Sequence, residues 1–164
     1  MDWREEYKRK LVSPEEAVRE IRSGDTVRLG WGISCPYTLC QALGKRKNEL
    51  EGVTILNSVT VIPQPWQKPG YEKAFHLVNT FVTAFARPLV ENGKEDVLHL
   101  DAILQLRQYT DRRQEGRRQV YMCQVSRPDE HGYCSLGEAI WYSKDAIEHC
   151  DLVIGEVVPG LIRT

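Results

Sequence analysis

Several protein classes are excluded by what this sequence is short of. No uninterrupted apolar stretch approaches the ~20 residues that a membrane helix needs. The opening MDWREEYKRK is charged throughout, unlike the apolar core of a secretory leader. Net charge is scarce as well. The 22 Lys+Arg stand against 23 Asp+Glu, a balance of -1 that removes the electrostatic case for nucleic acid or an anionic membrane. A cytoplasmic domain with neither partner is therefore expected. The five cysteines (Cys35, Cys40, Cys123, Cys134, Cys150) are odd in number and none falls in a C-x-x-C pair. Reduced thiols that serve as packing material are expected, with no disulfide framework and no metal site. No repeat of fixed period and no low-complexity tract occurs.

What remains is an ordinary globular composition: 164 residues, 41% hydrophobic and 27% charged. That length suits one domain burying roughly 68–70% of the surface its unfolded chain would expose. The first clear element is a helix announced by Ser13-Pro14-Glu15-Glu16. Ser13 can cap it, Pro14 suits its first turn, and the two glutamates face the positive end of its dipole. Ala17, Val18 and Ile21 give it an apolar face, and Ser23-Gly24-Asp25 stops it. TVRL at 26–29 reads as a strand, followed by the tight loop Gly30-Trp31-Gly32-Ile33-Ser34-Cys35-Pro36. Pro36 opens the next helix, with Leu39, Leu43 and Leu50 along one side.

This strand–loop–helix pattern recurs. Val53 to Leu56, Leu77 to Val82, Asp96 to Leu100, Val120 to Val125 and Leu152 to Ile154 all read as strands, the last after a helix from about Ile140 to His149. Near-continuous apolar strands between helices predict an open, mostly parallel α/β sheet covered by helices on both faces. Two segments interrupt the rhythm. Ile62 to Gly70 holds three prolines and a glycine in nine residues, so an irregular excursion is expected there. Arg107 to Arg118 carries five arginines and two acidic residues; it reads as a solvated loop, or alternatively as an anion or partner contact.

The glycine loop after the first strand is the most informative local feature. In a parallel sheet, ligands bind in the crevice outside the carboxyl ends of the strands. Gly30 and Gly32 would let a backbone approach a ligand closely, and the next helix would offer free N–H groups. As a pattern, G-x-G-x-x-x-P lacks the third glycine of a dinucleotide fingerprint and the G-K-[ST] of a phosphate loop, so a turn without a ligand reads equally well. Residues Ser126 to Gly137 follow a strand and contain turn formers, with Tyr133-Cys134-Ser135 expected as a short returning strand. His131 reads as a surface turn residue. No serine or cysteine sits in a nucleophile-elbow motif, so no local nucleophile stands out.

Taken in order, the residues resemble a known family. Trp3 and Tyr7 precede Ser13-x-Glu15-Glu16-Ala17-Val18, then Ile21-x-Ser23-Gly24-Asp25-x-Val27 and Pro36-x-x-Leu39-x-x-Ala42-Leu43. The strongest piece runs Gln124-Val125-Ser126-x-Pro128-Asp129-x-His131-Gly132-Tyr133-Cys134-Ser135-Leu136-Gly137, and Glu156-Val157 follows. Over essentially all its length the chain resembles the N-terminal half of the acetyl-CoA hydrolase/transferase family, most closely the 4-hydroxybutyrate or butyrate coenzyme A transferase branch. The resemblance implies a fold shared with sugar-phosphate isomerases, in one of two similar domains that flank an active site. It implies ping-pong chemistry: a glutamate attacks the acyl-CoA thioester, giving an acyl-glutamyl anhydride and then a glutamyl-CoA thioester, from which a second carboxylate collects the CoA. In the family that glutamate lies on the C-terminal domain, so residues 1–164 are expected to form an N-terminal domain with no catalytic residue and no activity alone.

The same resemblance assigns substrate contacts to Gly30, Gly32, Ser34, Asn57, Ser58 and Arg87, which would wall a carboxylate pocket. Ser135 and Gly137 become CoA or domain-interface contacts. No cofactor is expected beyond the coenzyme A thioester as substrate. The partners implied are acyl-CoA, a small carboxylate, and either the complementary C-terminal half or further copies of this chain. Ile162 stands where relatives usually carry proline and Val158 where they carry asparagine, so a truncated or split product is expected. Two other readings compete: a non-catalytic CoA-binding or assembly module, and a sugar-phosphate isomerase-like enzyme. Trp31, Trp66 and Trp141 are expected to contribute an exposed apolar face for association.

Overall fold

A computed structural model describes residues 2–98, 116–138 and 140–164. Among them are six strands, all but the short acidic β4 rich in apolar and β-branched residues: β1 Thr26–Leu29, β2 Val53–Val59, β3 Phe75–Phe81, β4 Glu95–Val97, β5 Gln119–Val125 and β6 Leu152–Val157. They hydrogen-bond in the order β4-β3-β2-β1-β5-β6, and every neighbouring pair is parallel. Val27 lies opposite Ile55 on one side and Val120 on the other. β1 is buried along its whole length, as expected of a central strand covered on both faces.

The period-2 alternation sends Val27, Leu29, Val53, Ile55, Phe75, Leu77, Val120 and Met122 into one core. That core is closed by the turn after α2 (Pro14–Ala17), which supplies Val18 and Ile21, and by α3 (Tyr37–Lys45), which supplies Leu39 and Leu43. On the opposite face Tyr121 and Cys123 pack against Ala146 of α5 (Ser143–His149). Helices therefore cover both faces, with α1 (Trp3–Lys10) and α4 (Arg87–Glu91) completing the described set. The strand order reverses direction at β1. From β1 the chain winds outward through α3 to β2, and from β5 through α5 in the other sense to β6. Right-handed crossovers then place α3 and α5 on opposite faces.

Several expectations need correction. The helix at Ser13 has the anticipated capping box with Glu16, yet it ends at Ala17 and continues only as a 3-10 turn over Val18–Glu20. The Arg46 guanidinium donates to the carbonyls of Val18 and Ile21, which satisfies oxygens that a longer helix would have used. Tyr133-Cys134-Ser135 is a loop rather than a strand. It is closed by Ser126 N–H on the Ser135 carbonyl at 2.9 Å and by the Asp129 carboxylate accepting from the His131 and Tyr133 amides. Trp66 is core, not surface: Pro65 packs on Gly44 and the indole lies against Phe75.

Helix α1 is absent from the sequence expectations because it buries no residue and shows no apolar stripe. It is built by the Asp2 cap on the Arg4 amide and by Glu6 paired with Arg9 and Lys10. Trp3 anchors it against Gly132, whose φ of +89° and contact with the indole leave no room for a Cβ. The strand expected over Asp96 to Leu100 is observed as Glu95–Val97, with residues 99 and 100 outside the described set. The arginine run lies outside it as far as residue 115; Arg118 donates to the Glu20 carbonyl at 2.7 Å. Of the cysteines, Cys35, Cys40 and Cys123 are buried packing residues, Cys150 is half-buried, and Cys134 is exposed, against expectation. All five are free thiols.

A row of buried polar groups runs from the carboxyl half of β2 and β3 to Glu95, the first residue of β4. Asn57 and Asn79 are register partners, and Asn79 donates its amide to Glu95. Burial pushes the Glu95 carboxyl up to about 7 despite that bond. A carboxyl raised in the folded state stabilises fully below its unfolded value and loses that contribution as pH climbs through about 7. Glu95→Gln should therefore stabilise the protein by about 1–3 kcal/mol at pH 8 and change little near pH 4. Urea unfolding at the two pH values checks this, and an equal effect at both contradicts it.

Candidate ligand crevice

The reversal of strand order between β1 and β5 opens a crevice at their carboxyl ends, the position where doubly wound sheets bind ligands. The first wall is the loop after β1. Gly30 N–H extends the β1–β5 ladder by donating to the Met122 carbonyl at 2.8 Å. The chain then folds back through a 3-10 turn, Gly32–Ser34, which brings the Ser34 carbonyl against the Cα of Gly30. A methyl group there would overlap that oxygen, so Gly30 is required by close approach and not by φ. Gly32 has φ +56° with open space around its Cα, so it is the conformationally permissive glycine of the pair.

The second wall is the end of β2. Asn57 is buried and donates to the Thr60 hydroxyl at 2.6 Å, while its Oδ1 has no hydrogen-bond partner. Ser58 points to the opposite face, where its hydroxyl bonds the phenol of Tyr142. Burial raises the Tyr142 phenol above its ordinary value, so it stays protonated at neutral pH. The ring of Tyr142 also receives the guanidinium of Arg28 at 5.6 Å from its centroid. Beside it, Trp31 of the glycine loop stacks on Trp141 at 4.9 Å between centroids and 17° between planes. Trp141 is 61% exposed and adopts φ +24°, so an unfavourable backbone conformation holds an indole in solvent.

The third wall is the end of β5 and β6. Gln124 donates to the Cys35 carbonyl at 3.2 Å. Its register partner Glu156 accepts from the Thr38 hydroxyl at 2.9 Å and from the Leu39 amide at 3.0 Å. Two adjacent strand ends thus grip the junction of the glycine loop and α3.

Gly30, Gly32, Ser34, Asn57 and Ser58 are therefore gathered at the ends of two adjacent strands, although Asn57 and Ser58 serve opposite faces. Arg87 stands farther out. It is exposed at the start of α4, beyond β3, with its backbone N–H bonded to the Thr83 carbonyl at 2.9 Å. Ser135 and Gly137 lie in the loop after β5 and are occupied internally. The Ser135 hydroxyl accepts from the Gly137 and Thr164 amides, and Gly137 abuts Leu161 while its carbonyl accepts from the Thr164 hydroxyl. Arg163 completes that tie, donating to the Ser126 hydroxyl, the Arg127 carbonyl and the Asp129 carboxylate, each at 2.8–2.9 Å. His131 is a surface turn residue beside Glu130 at 3.4 Å.

Tyr142, Gln124 and Glu156 were not singled out as site residues from the sequence. Arg28 carried a visible signal, a charge inside a strand that the pattern buries. No activated nucleophile gathers in the crevice among the described residues: burial pushes the Cys40 thiol well above its ordinary value, and the Ser58 hydroxyl is tied to Tyr142. No three His, Cys, Asp or Glu side chains group as metal ligands among those residues, and no helix there is long and apolar enough to cross a membrane.

Comparison with known proteins points in one direction. The family model for the acetyl-CoA hydrolase/transferase N-terminal domain matches residues 1–159. The 4-hydroxybutyrate coenzyme A transferase of Clostridium kluyveri is 33% identical over 164 residues, which is all of this chain and 38% of that protein. The butyryl-CoA:acetate CoA-transferase of Anaerostipes caccae is 29% identical over 167 residues, 99% of this chain and 36% of its own length. Among solved structures, RipA from Yersinia pestis superposes with a TM-score of 0.83 at 26% identity, over 96% of this chain and 38% of that one. The chain spans little more than a third of the length of these relatives.

Proposed function

Because the chain belongs to the acetyl-CoA hydrolase/transferase family through its N-terminal domain, we propose that it is the substrate-side half of a coenzyme A transferase. It would help move CoA between an acyl-CoA and a short-chain carboxylate, with residues 1–164 acting as one domain. The observation that carries this reading is the family match over residues 1–159, set against a crevice whose described residues offer shape and hydrogen bonds but no activated nucleophile. Division of labour follows. The reacting glutamate is assigned to the complementary half, where it would take the acyl group from the thioester and then the CoA. This half supplies the wall: the backbone of Gly30, Gly32 and Ser34, the unpartnered Asn57 oxygen, the Ser58–Tyr142 pair and the outlying charge of Arg87.

Coenzyme A enters as substrate and is not held permanently. Ser135 and Gly137, both tied to the last residues of the chain, are assigned to the domain interface in preference to CoA. The balanced charge and free thiols suit the cytoplasm.

The stacked Trp31–Trp141 pair favours a second reading, in which the chain is chiefly an assembly module. Sedimentation velocity over a wide concentration range, with and without a C-terminal half of the family, addresses association in both readings. Self-association or a 1:1 complex is expected, and Trp141→Ala should weaken it by about tenfold or more. A strictly monomeric chain, unchanged by the second half, contradicts it.

A further inference from the structure

A buried side-chain amide or carboxylate costs stability unless its polar atoms find partners. Three side chains on adjacent strands break that rule together. Asn57 is 4% exposed, Asn79 0% and Glu95 6%, and Asn57 Oδ1, Asn79 Oδ1 and Glu95 Oε2 have no hydrogen-bond partner. All three lie on the sheet face that carries Ile55 and Leu77. Asn57 follows Ile55 by two residues, Asn79 follows Leu77 by two, and Glu95 is the register partner of Leu77. Neighbouring strands are about 4.8 Å apart, so Asn57 and Glu95 flank Asn79 at one strand spacing on either side.

The donors of the row are already spent. Asn57 gives its amide to the Thr60 hydroxyl at 2.6 Å, and Asn79 gives its amide to Glu95 Oε1. Turning the Asn79 amide over would set its oxygen against the Glu95 carboxylate. What is left is two amide oxygens and one carboxylate oxygen, with no cation acting on that carboxylate among the described residues. A proton on Glu95 would serve two of the three oxygens at most, and a water has two hydrogens for three acceptors. A cation serves all three, exchanging its hydration shell for protein oxygens. Charge decides which cation. One carboxylate neutralises one positive charge, whereas a divalent ion would leave a net charge buried.

We propose that Asn57, Asn79 and Glu95 form an internal site for one alkali-metal cation, held by Asn57 Oδ1, Asn79 Oδ1 and Glu95 Oε2. The ion ties the edge strand β4 to β3 and to the end of β2, where Asn57 stands in the second wall of the crevice. It thereby braces that wall from inside the domain. The site stands on the sheet alone and is independent of the transferase reading.

Urea unfolding of the full chain at pH 8 tests this. NaCl or KCl is mixed with tetramethylammonium chloride to constant ionic strength, since tetramethylammonium is too bulky for a buried site. Once one of the two alkali ions saturates the site, each tenfold increase in it should raise the folding constant about tenfold. Glu95→Gln keeps the side-chain shape, loses the charge and should lose that response. Asp96→Asn, which alters an exposed carboxylate paired with His76, should keep it. The stability that Glu95→Gln gains over the parent at pH 8 should therefore appear in tetramethylammonium and shrink in the alkali salt. Equal unfolding in all three salts overturns the proposal, as does an alkali response that persists in Glu95→Gln or is lost in Asp96→Asn. If Glu95→Gln fails to fold, the side-chain amide resonances of Asn57 and Asn79 in the parent decide. Saturable shifts with sodium or potassium support the site, and shifts no larger than with tetramethylammonium overturn it.

Discussion

The isolated 164-residue chain should turn over no acyl-CoA:carboxylate pair above background. Several candidates for independent chemistry among the described residues are accounted for by their surroundings. Glu156 is held by the first turn of α3, and Glu95 lies buried at the sheet edge against Asn79. Glu6, Glu15 and Glu16 face solvent, paired with Arg9, Lys45 and Ser13. The Cys123 thiol is pushed up to about 12 by burial, so it carries no thiolate at neutral pH. A covalent mechanism needs an exposed, activated nucleophile, and losing one removes orders of magnitude in rate. Formation of butyryl-CoA and acetate from acetyl-CoA and butyrate, followed by chromatography, measures this. Clear turnover that disappears on mutating any one glutamate within residues 1–164 would place the nucleophile in this half and contradict the division of labour.

The second large effect concerns the glycine loop. Gly30→Ala places a methyl group where the Ser34 carbonyl oxygen lies, and the obstacle is backbone, so no side chain can swing aside. The loop must move by a sizeable fraction of an ångström, carrying Trp31 and Ser34 with it. The strands beneath are held by their own ladders and by the core of Val27, Leu29, Ile55 and Val120, so the fold should survive. In an enzyme reconstituted with its complementary half, kcat/KM is expected to fall by roughly 100-fold, the scale on which a misplaced substrate wall costs rate. Gly32→Ala provides the contrast. Nothing lies within 4 Å of its Cα substituent, so only the strain of φ +56° opposes it, and the loss should be smaller. Equal losses at the two positions would contradict the steric account.

The sheet was legible because its strands are dense in β-branched and apolar residues, and β1, β2, β5 and β6 all lie where those runs predict them. The parts that were missed share a physical cause. Helix α1 is held by a cap, ion pairs and one tryptophan on a glycine, none of which produces an apolar period. The extension of β2 through Asn57, Ser58 and Val59 was hidden because polar residues continue a buried strand there. Trp66 was misplaced because three nearby prolines read as an excursion, whereas Pro65 itself packs into the space left by Gly44. Glu156 could not be read as the cap of α3, since the partners are separated by 117 positions and only the fold joins them. Pro36 at the start of α3, a capping position with no side-chain acceptor, was the one local hint that a cap must come from elsewhere.

The central claim is that this chain forms the substrate wall of a coenzyme A transferase whose nucleophile lies on another half. The most direct measurement is reconstitution: the chain is titrated into a fixed amount of a C-terminal half of the family, and transfer from butyryl-CoA to acetate is followed. The account predicts that neither half is active alone and that activity rises with added chain to a plateau at one equivalent. It also predicts that activity disappears when the glutamate of the C-terminal half is replaced by alanine. A stable one-to-one complex without transfer, or activity in the C-terminal half that is unchanged by this chain, would contradict it.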